Sequence, residues 1–177
     1  MIISFLIALV VVIFDAITKV IVMKNMNLGE SFWVIPKFIK FTYVENTGMA
    51  FSMLSDSTWF LVIVSLVASG LLGYLVVKYS NWIKRKCFSL SLAFMLGGCV
   101  GNLIDRFLTV FHARGGVVDF IEIYFGSFHA IGGSTFNVAD AFLVVGCVLL
   151  IVEYAILEPL KEKNKEKGNV IDGENNS

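Results

Sequence analysis

Two runs of this sequence carry no charged residue over a length that crosses a lipid bilayer. They cover residues 58–77 and 87–104, and a transmembrane helix needs about 20 consecutive apolar residues. Two weaker runs flank them: residues 1–14, whose apolar pattern continues to residue 23, and residues 141–152, whose pattern continues to residue 157. We therefore predict four membrane-spanning helices, at about residues 1–23, 58–77, 87–107 and 138–157.

The composition supports a membrane protein over a soluble one. Hydrophobic residues make up 57% of the chain and charged residues 16%, and the mean hydropathy is +0.81. Soluble domains are roughly 45–50% apolar and about 25% charged. We therefore expect an all-α membrane protein, with one polytopic domain over about residues 1–160. The net charge is zero and the basic residues form no stripe with interleaved aromatics, so no nucleic-acid partner is expected.

The basic residues predict the orientation of the four spans. They cluster in the link between spans two and three and in the C-terminal tail: Lys78, Lys84, Arg85 and Lys86, then Lys161, Lys163, Lys165 and Lys167. Basic flanks stay cytoplasmic, so both termini are expected inside, with outer segments at about residues 24–57 and 108–136. The polar tail, residues 161–177, is expected to be disordered.

A cleaved signal peptide is the alternative interpretation of the first run. However, no Lys or Arg precedes it, and Asp15 lies where a small-residue cleavage site would be expected. We therefore interpret the run as a retained span.

The first outer segment has a pattern typical of strands. Residues 31–36 and 38–44 are rich in β-branched and aromatic residues, which favours short strands at the membrane surface. Aromatic side chains such as Trp33, Tyr43 and Trp59 suit the interface between lipid and water. We predict a small extracytoplasmic sheet beside the helices.

Polar residues in or beside a span are costly, so each one needs a role. Asp15, Thr18 and Lys19 lie at spacings of three and four, on one face of the first helix. A local ion pair that ends the span is the simplest interpretation. Asn46 and Gly48 indicate a turn directly after a strand, which would be either a plain surface turn or a platform for an extended peptide.

The third span combines small and polar residues on one helical stripe. Gly97 and Gly101 form a small-xxx-small pattern that allows close approach of another helix. Asn102, Asp105 and Arg106 follow at the outer end of the span. An ion pair between Asp105 and Arg106 that closes the helix is the structural alternative to a functional role.

Two further acids lie in the second outer segment and at the start of the fourth span. Asp119 is flanked by Val118 and Phe120, where a carboxylate is poorly solvated unless it has a function. Asn137 is a favourable N-cap, and Asp140 lies three residues later, in the first helical turn. Capping is therefore a sufficient structural role for Asp140.

A pair of carboxylates can hydrolyse a peptide bond in a cleft of low dielectric constant. One keeps its proton while the other is charged and accepts a proton from water. No Ser/His/Asp or Cys/His set outside the lipid competes with this chemistry. The histidines (His112, His129) and cysteines (Cys87, Cys99, Cys147) lack the spacing of a metal site, so no metal or cofactor is expected. The candidates are Asp105, Asp119 and Asp140, without a choice of pair.

Five blocks of this sequence resemble, in order, the signature blocks of bacterial lipoprotein signal peptidase (signal peptidase II). They are Asp15-Ala-Ile-Thr-Lys19, Asn46-Thr-Gly-Met-Ala-Phe51, Gly101-Asn-Leu-Ile-Asp-Arg106, Val117-Val-Asp-Phe120 and Phe136-Asn-Val-Ala-Asp140. The stretch between Arg106 and Val117 is several residues longer than is usual in that family. The resemblance covers nearly the whole chain.

The resemblance implies an aspartic endopeptidase of the bacterial cytoplasmic membrane with its site at the outer face. It implies cleavage of diacylglyceryl-modified prolipoproteins just before the lipidated cysteine, with a β-cradle that grips the substrate. By the same resemblance the catalytic pair is Asp119 and Asp140. The supporting or substrate-binding residues are Asp15, Lys19, Asn46, Gly48, Asn102, Asp105, Arg106 and Asn137. Membrane lipids and globomycin-like inhibitors are the other expected partners, and no oligomer is predicted.

Two other functions are compatible with acids in a membrane protein. A transporter or channel subunit would use Asp105, Asp119 and Asp140 as a proton or cation path. A scaffold would bind lipoproteins without cutting them. Against the transporter, no polar residues line a route through the second or fourth span, and inverted repeats are absent.

Overall fold

The computed structural model describes residues 1–48, 58–125, 128–129, 134–161 and 163. The elements are α1 (Ile2–Asn25), β1 (Ser31–Ile35), β2 (Ile39–Asn46), α2 (Thr58–Tyr79), α3 (Lys86–Val110), β3 (Val117–Phe125), β4 (Phe128–His129) and α4 (Val138–Val152). A π-helical turn, Glu153–Leu157, continues α4. Residues 49–51 of the second sequence block and nearly all of the tail, including its expected disorder, lie outside the described residues.

In the described part of the chain, four helices are long and apolar enough to cross a membrane: Ile2–Asn25, Thr58–Tyr79, Lys86–Val110 and Val138–Lys161. Helix α3 lies at the centre and contacts the other three. The outer helices bury one stripe each and expose their remaining apolar side chains, as expected for helices whose solvent is lipid. In α1 the buried stripe is Ser4, Ala8, Val11, Asp15, Lys19 and Val22. The expected class, a mostly helical membrane protein with a small sheet, is confirmed.

The glycines of α3 allow its neighbours to approach closely. A Cβ atom at Gly97 would lie 2.7 Å from Val11 Cβ on α1, and one at Gly101 would lie 2.9 Å from Asp15 Oδ2. A Cβ atom at Gly98, on the adjacent face, would overlap the carbonyl oxygen of Ala139 on α4. The small-residue stripe therefore determines how close α1 and α4 lie to the polar end of α3.

The sheet is antiparallel, with strand order β1-β2-β3-β4. Its register pairs Val44 with Asp119 and Asn46 with Val117. A cluster of Val22, Tyr43, Val118 and Phe120 packs the sheet against the end of α1. The sheet therefore holds Asp119 beside the C-terminal end of α1.

The opposite end of the bundle contains a buried acid, Glu153, in the π-helical turn. Its Oε1 atom pairs with Arg85 Nε at 3.3 Å and with Lys161 Nζ at 3.1 Å. These pairs allow a charged group in the apolar pattern of the fourth span.

Candidate active site

Asp119 lies on β3 with 3% of its surface exposed. Asn46 Nδ2 donates to its Oδ2 at 3.0 Å, and Asn137 Nδ2 donates to its Oδ1 at 2.7 Å. Burial, followed by the nearby negative charge of Asp140, raises the pKa of Asp119 to about 7. A carboxyl group with a pKa near neutrality can both hold and release a proton under physiological conditions.

Asp140 lies in the first turn of α4 and is half-buried. Asn137 is the N-cap of this helix: its Oδ1 accepts from the backbone N–H of Asp140 at 2.9 Å. In return, Asp140 Oδ2 accepts from the backbone N–H of Asn137 at 3.2 Å. This reciprocal capping box uses one carboxylate oxygen of Asp140 and fixes its direction. The structure therefore contains the cap that the sequence predicts.

Two asparagine side chains connect the two acids. Asn102 Nδ2 donates to Asp140 Oδ1 at 2.6 Å, and Asn137 Nδ2 donates to Asn102 Oδ1 at 3.0 Å as well as to Asp119. Both amides are buried, at 4% and 0% exposure. Asp119 from the sheet and Asp140 from α4 are thus held side by side by a shared set of amide donors.

A buried ion cluster lies behind the asparagines. Lys19 Nζ, fully buried, lies 2.6 Å from Asp15 Oδ2 and 2.6 Å from Asp105 Oδ2. It also donates to Asn102 Oδ1 at 3.3 Å. The second oxygen of Asp15 accepts from the backbone N–H of Ala139 at 2.9 Å, which ties α1 to the start of α4. Asp15 and Lys19 therefore connect α1 to Asn102 on α3 and to the start of α4, and do more than end a span.

The possible ion pair between Asp105 and Arg106 does not form. Asp105 pairs with Lys19 and, through Oδ1, with Arg114 Nη1. Arg106 donates to Ser65 Oγ on α2 at 3.0 Å. Consecutive residues of a helix point in different directions, which explains why these neighbours find separate partners.

Asn46 ends β2 in a local turn. Its Oδ1 accepts from the backbone N–H of Gly48 at 2.9 Å, while its Nδ2 faces Asp119. The turn therefore determines which end of the amide is offered to the acid.

Within the described part of the chain, Arg106 Nε is buried without a hydrogen-bond partner.

The geometry separates the three candidate acids. Asp105 is paired with two cations. Asp119 and Asp140 instead accept from two asparagine amides that are hydrogen-bonded to each other, and the charge of Asp140 contributes to the raised pKa of Asp119. Such a pair, with a raised pKa on one member, can support acid–base hydrolysis. The residues that the structure describes contain no group of three His, Cys, Asp or Glu side chains that could hold a metal ion.

The sequence profile of the family described as Signal peptidase (SPase) II matches residues 7–156. The chain belongs to this family. A lipoprotein signal peptidase of Listeria monocytogenes serotype 4b (strain CLIP80459) is 41% identical over 159 residues, which are 90% of this chain and 96% of the relative. The lipoprotein signal peptidase of Bacillus pumilus (strain SAFR-032) is 39% identical over 149 residues, which are 84% of this chain and 90% of the relative.

Solved structures agree with this family assignment. A bacterial membrane enzyme determined by the in meso method at 2.3 Å resolution superposes with a TM-score of 0.74, at 36% identity and 90% coverage of both chains. A second, at 1.9 Å, gives a TM-score of 0.70 at 37% identity, covering 84% of this chain and 90% of that one. Membership of signal peptidase II confirms the resemblance and makes the chain a multi-pass membrane protease of the lipoprotein signal peptidase type. The transporter and scaffold alternatives are therefore wrong.

Some contacts of the site were not predicted from the sequence. Ser65 holds Arg106, and Arg114 holds Asp105. A hydroxyl within an uncharged span and an arginine in the link between α3 and β3 were visible signals, but neither identifies its partner. Thr18 only donates to the backbone oxygen of Asp15 and does not enter the site.

Proposed function

We propose that Asp119 and Asp140 are the catalytic pair of this lipoprotein signal peptidase. The observation that carries the proposal is the shared amide system, in which Asn137 donates to Asp119 and Asn102 donates to Asp140. Both acids are thereby fixed in direction before substrate arrives, and their proximity favours a single shared proton.

The proposed reaction is direct attack of water on the scissile carbonyl carbon. The carboxylate of Asp140 accepts a proton from the water, and protonated Asp119 hydrogen-bonds the carbonyl oxygen and gives its proton to it. The C–N bond then breaks as the nitrogen takes the proton held by Asp140, and one hydroxyl of the tetrahedral intermediate returns its proton to Asp119, leaving a carboxylic acid and an amine. The raised pKa of Asp119, about 7, suits the role of acid at neutral pH.

The substrate of the proposal is a diacylglyceryl-modified prolipoprotein, cut just before the lipidated cysteine. Such a substrate stays in the bilayer, which fits a site at the end of four apolar helices. The sheet would hold the extended peptide at Asn46 and Gly48, and Arg106, whose buried Nε is free among the described residues, would bind a substrate carbonyl. Membrane lipids would cover the apolar helix faces, and globomycin-like inhibitors would occupy the same cleft.

The proposed location is the bacterial cytoplasmic membrane, with both termini inside and the site at the outer face. The basic link at Lys84, Arg85 and Lys86 supports this orientation. A membrane-impermeant thiol reagent applied to spheroplasts tests it. A Glu30→Cys variant should be labelled and a Lys84→Cys variant should not, and the reverse pattern would overturn the orientation.

The catalytic assignment is tested with Asp119→Asn and Asp140→Asn, assayed on a lipidated prolipoprotein in detergent. Each isosteric variant should fold and lose at least about 1,000-fold in kcat, since it removes one half of an acid–base pair. Asp105→Asn should retain measurable turnover, and Glu30→Gln, an exposed acid of the outer segment, should match the wild type. Near wild-type turnover by Asp119→Asn would redirect the assignment to Asp105 and Asp140.

A further inference from the structure

The link between α3 and β3 forms an ordered reversal of the chain. Helix α3 runs one turn beyond Arg106 to Val110, and its end is closed by His112 N–H to Thr109 O at 3.0 Å and Ala113 N–H to Leu108 O at 2.8 Å. His112 has φ of 57°, the left-handed conformation typical of the residue after a helix. This cap turns the chain back along α3 and brings Arg114 to a residue nine positions earlier.

Arg114 places its guanidinium on Asp105. The contact joins Arg114 Nη1 to Asp105 Oδ1, with 17% of the arginine side chain and 4% of the aspartate side chain exposed. The other oxygen of Asp105 lies 2.6 Å from Lys19 Nζ. The carboxylate is therefore held between two cations from different elements, and removal of either leaves a buried charge with half of its compensation.

One route leads from this contact to Asp140. Lys19, whose position depends on Asp105, donates to Asn102 Oδ1 at 3.3 Å. Asn102 donates to Asp140 Oδ1 at 2.6 Å. The orientation of the Asn102 amide, which donates to Asp140, thus depends on the charge balance at Asp105.

A second route leads from Arg114 to Asp119. Gly116 follows two residues later and lies against the backbone of Asn46, where an added Cβ would come within 2.8 Å of the carbonyl carbon and oxygen. Asn46 donates to Asp119 Oδ2 at 3.0 Å. The turn that contains Arg114 therefore leads directly into the contact with the end of β2, where Asn46 pairs with Val117.

We propose that Arg114 is a positioning residue for peptide-bond hydrolysis, fixing the strand-borne Asp119 relative to the helix-borne Asp140. The proposal rests on the catalytic pair assigned above. Arg114 acts through Asp105 and through the turn that it anchors, and it does not touch the substrate.

The test compares Arg114→Gln and Arg114→Lys with wild type in detergent on a lipidated prolipoprotein. Arg114→Gln should lower kcat by about 10- to 100-fold while KM stays within about twofold, because misplaced catalytic groups slow chemistry more than binding. Arg114→Lys should recover part of the loss, since an ammonium keeps the charge but not the planar fork.

The matched control is Arg85→Gln at the other end of the bundle. It removes the ion pair with buried Glu153 by the same substitution, so it should lower the thermal unfolding temperature and leave kcat unchanged. A kcat for Arg114→Gln equal to that of wild type, or a loss equal to that of Arg85→Gln, would overturn the proposal.

A double-mutant cycle with Asp105→Asn tests the route. If Arg114 acts through Asp105, adding Arg114→Gln to Asp105→Asn should change kcat by less than about threefold. Fully additive losses would overturn the proposal. If Arg114→Gln does not fold, Arg114→Lys decides, because an unchanged kcat in that variant contradicts a positioning role.

Different experimental results would overturn the role of Arg114 and the assignment of the catalytic pair. Inactive Asp119→Asn and Asp140→Asn variants together with a fully active Arg114→Gln would overturn the role of Arg114 alone. Active Asp119→Asn or Asp140→Asn variants would overturn the catalytic pair itself.

Discussion

Asn137 donates its side-chain N–H to Asp119 at 2.7 Å, while its side-chain oxygen caps α4 by accepting from the backbone N–H of Asp140 at 2.9 Å. Asn137 thereby sets the direction of Asp119 on the sheet and stabilises the helical turn that carries Asp140. Because the two roles use different atoms, substitution can separate them.

Asn137→Ala and Asn137→Ser should share a catalytic defect but differ in stability. Alanine removes the cap, which costs about 1 kcal/mol, whereas serine preserves it. Serine is too short to keep the donation to Asp119, so kcat should fall by about 10-fold or more in both variants. Activity assays and thermal unfolding in detergent measure the two effects, and a serine variant with full activity would contradict the role of the amide.

The stability of the protein should fall as the pH rises through the range in which Asp119 titrates. Its pKa is about 7 in the folded protein, against 3.8 for an ordinary aspartate side chain. The folded state therefore binds more protons than the unfolded state between about pH 4 and 7, and stability declines over that window and levels above it.

Asp119→Asn should remove this dependence, because the amide is neutral at every pH. The variant should unfold at a higher temperature than wild type at pH 8, by an amount reflecting a few kcal/mol at most, and the difference should shrink as the pH falls and vanish only below about pH 4. Glu30→Gln is the control and should follow wild type at both values. The measured quantity is the stability of the wild type relative to Asp119→Asn. If this difference favoured the wild type more at pH 8 than at pH 5, it would contradict the raised pKa of Asp119.

Local patterns predicted much of this fold. The uncharged runs predicted the helices, and the spacing of Gly97 and Gly101 predicted the close approach of another helix to α3. Asn137 and Asp140 predicted the helix cap. Each of these signals lies within a few residues of sequence, where helical periodicity and capping chemistry are sufficient.

The rest depended on contacts distant in sequence. The sequence alone left three acids as candidates. Asp105 is distinguished from the other two by its ion pairs with Lys19, which is distant in sequence on α1, and with Arg114, which lies beyond the end of α3. All three cysteines lie in apolar runs, yet Cys147 is exposed and Cys87 and Cys99 are only half-buried. In a bilayer an apolar residue gains little from facing the protein, so hydrophobicity does not predict burial.

Lys19 should be the residue of the ion cluster least tolerant of substitution. Lys19→Met leaves Asp15 and Asp105 as adjacent buried carboxylates, and breaking a buried ion pair in this way costs about 3–5 kcal/mol. The yield of folded protein after detergent extraction should drop strongly. Adding Asp105→Asn should restore part of it, because one uncompensated charge is removed.

The control for this prediction is Lys78→Met, which removes a lysine at the exposed end of α2. It should fold with the wild-type yield. Equal yields for Lys19→Met and Lys78→Met would show that the cluster contributes nothing to stability.

Gly98→Ala should separate α3 from α4 near the proposed catalytic pair. The added methyl group would overlap the carbonyl oxygen of Ala139, which is backbone and cannot rotate away. Displacing α4 lengthens the contact between Asn102 and Asp140, so both kcat and the thermal unfolding temperature should fall, the former by about 10-fold or more. Gly70→Ala is the matched control, since an added Cβ there has no atom within 4 Å. It should retain activity and stability, and equal behaviour of the two variants would mean that the α3–α4 contact does not position Asp140.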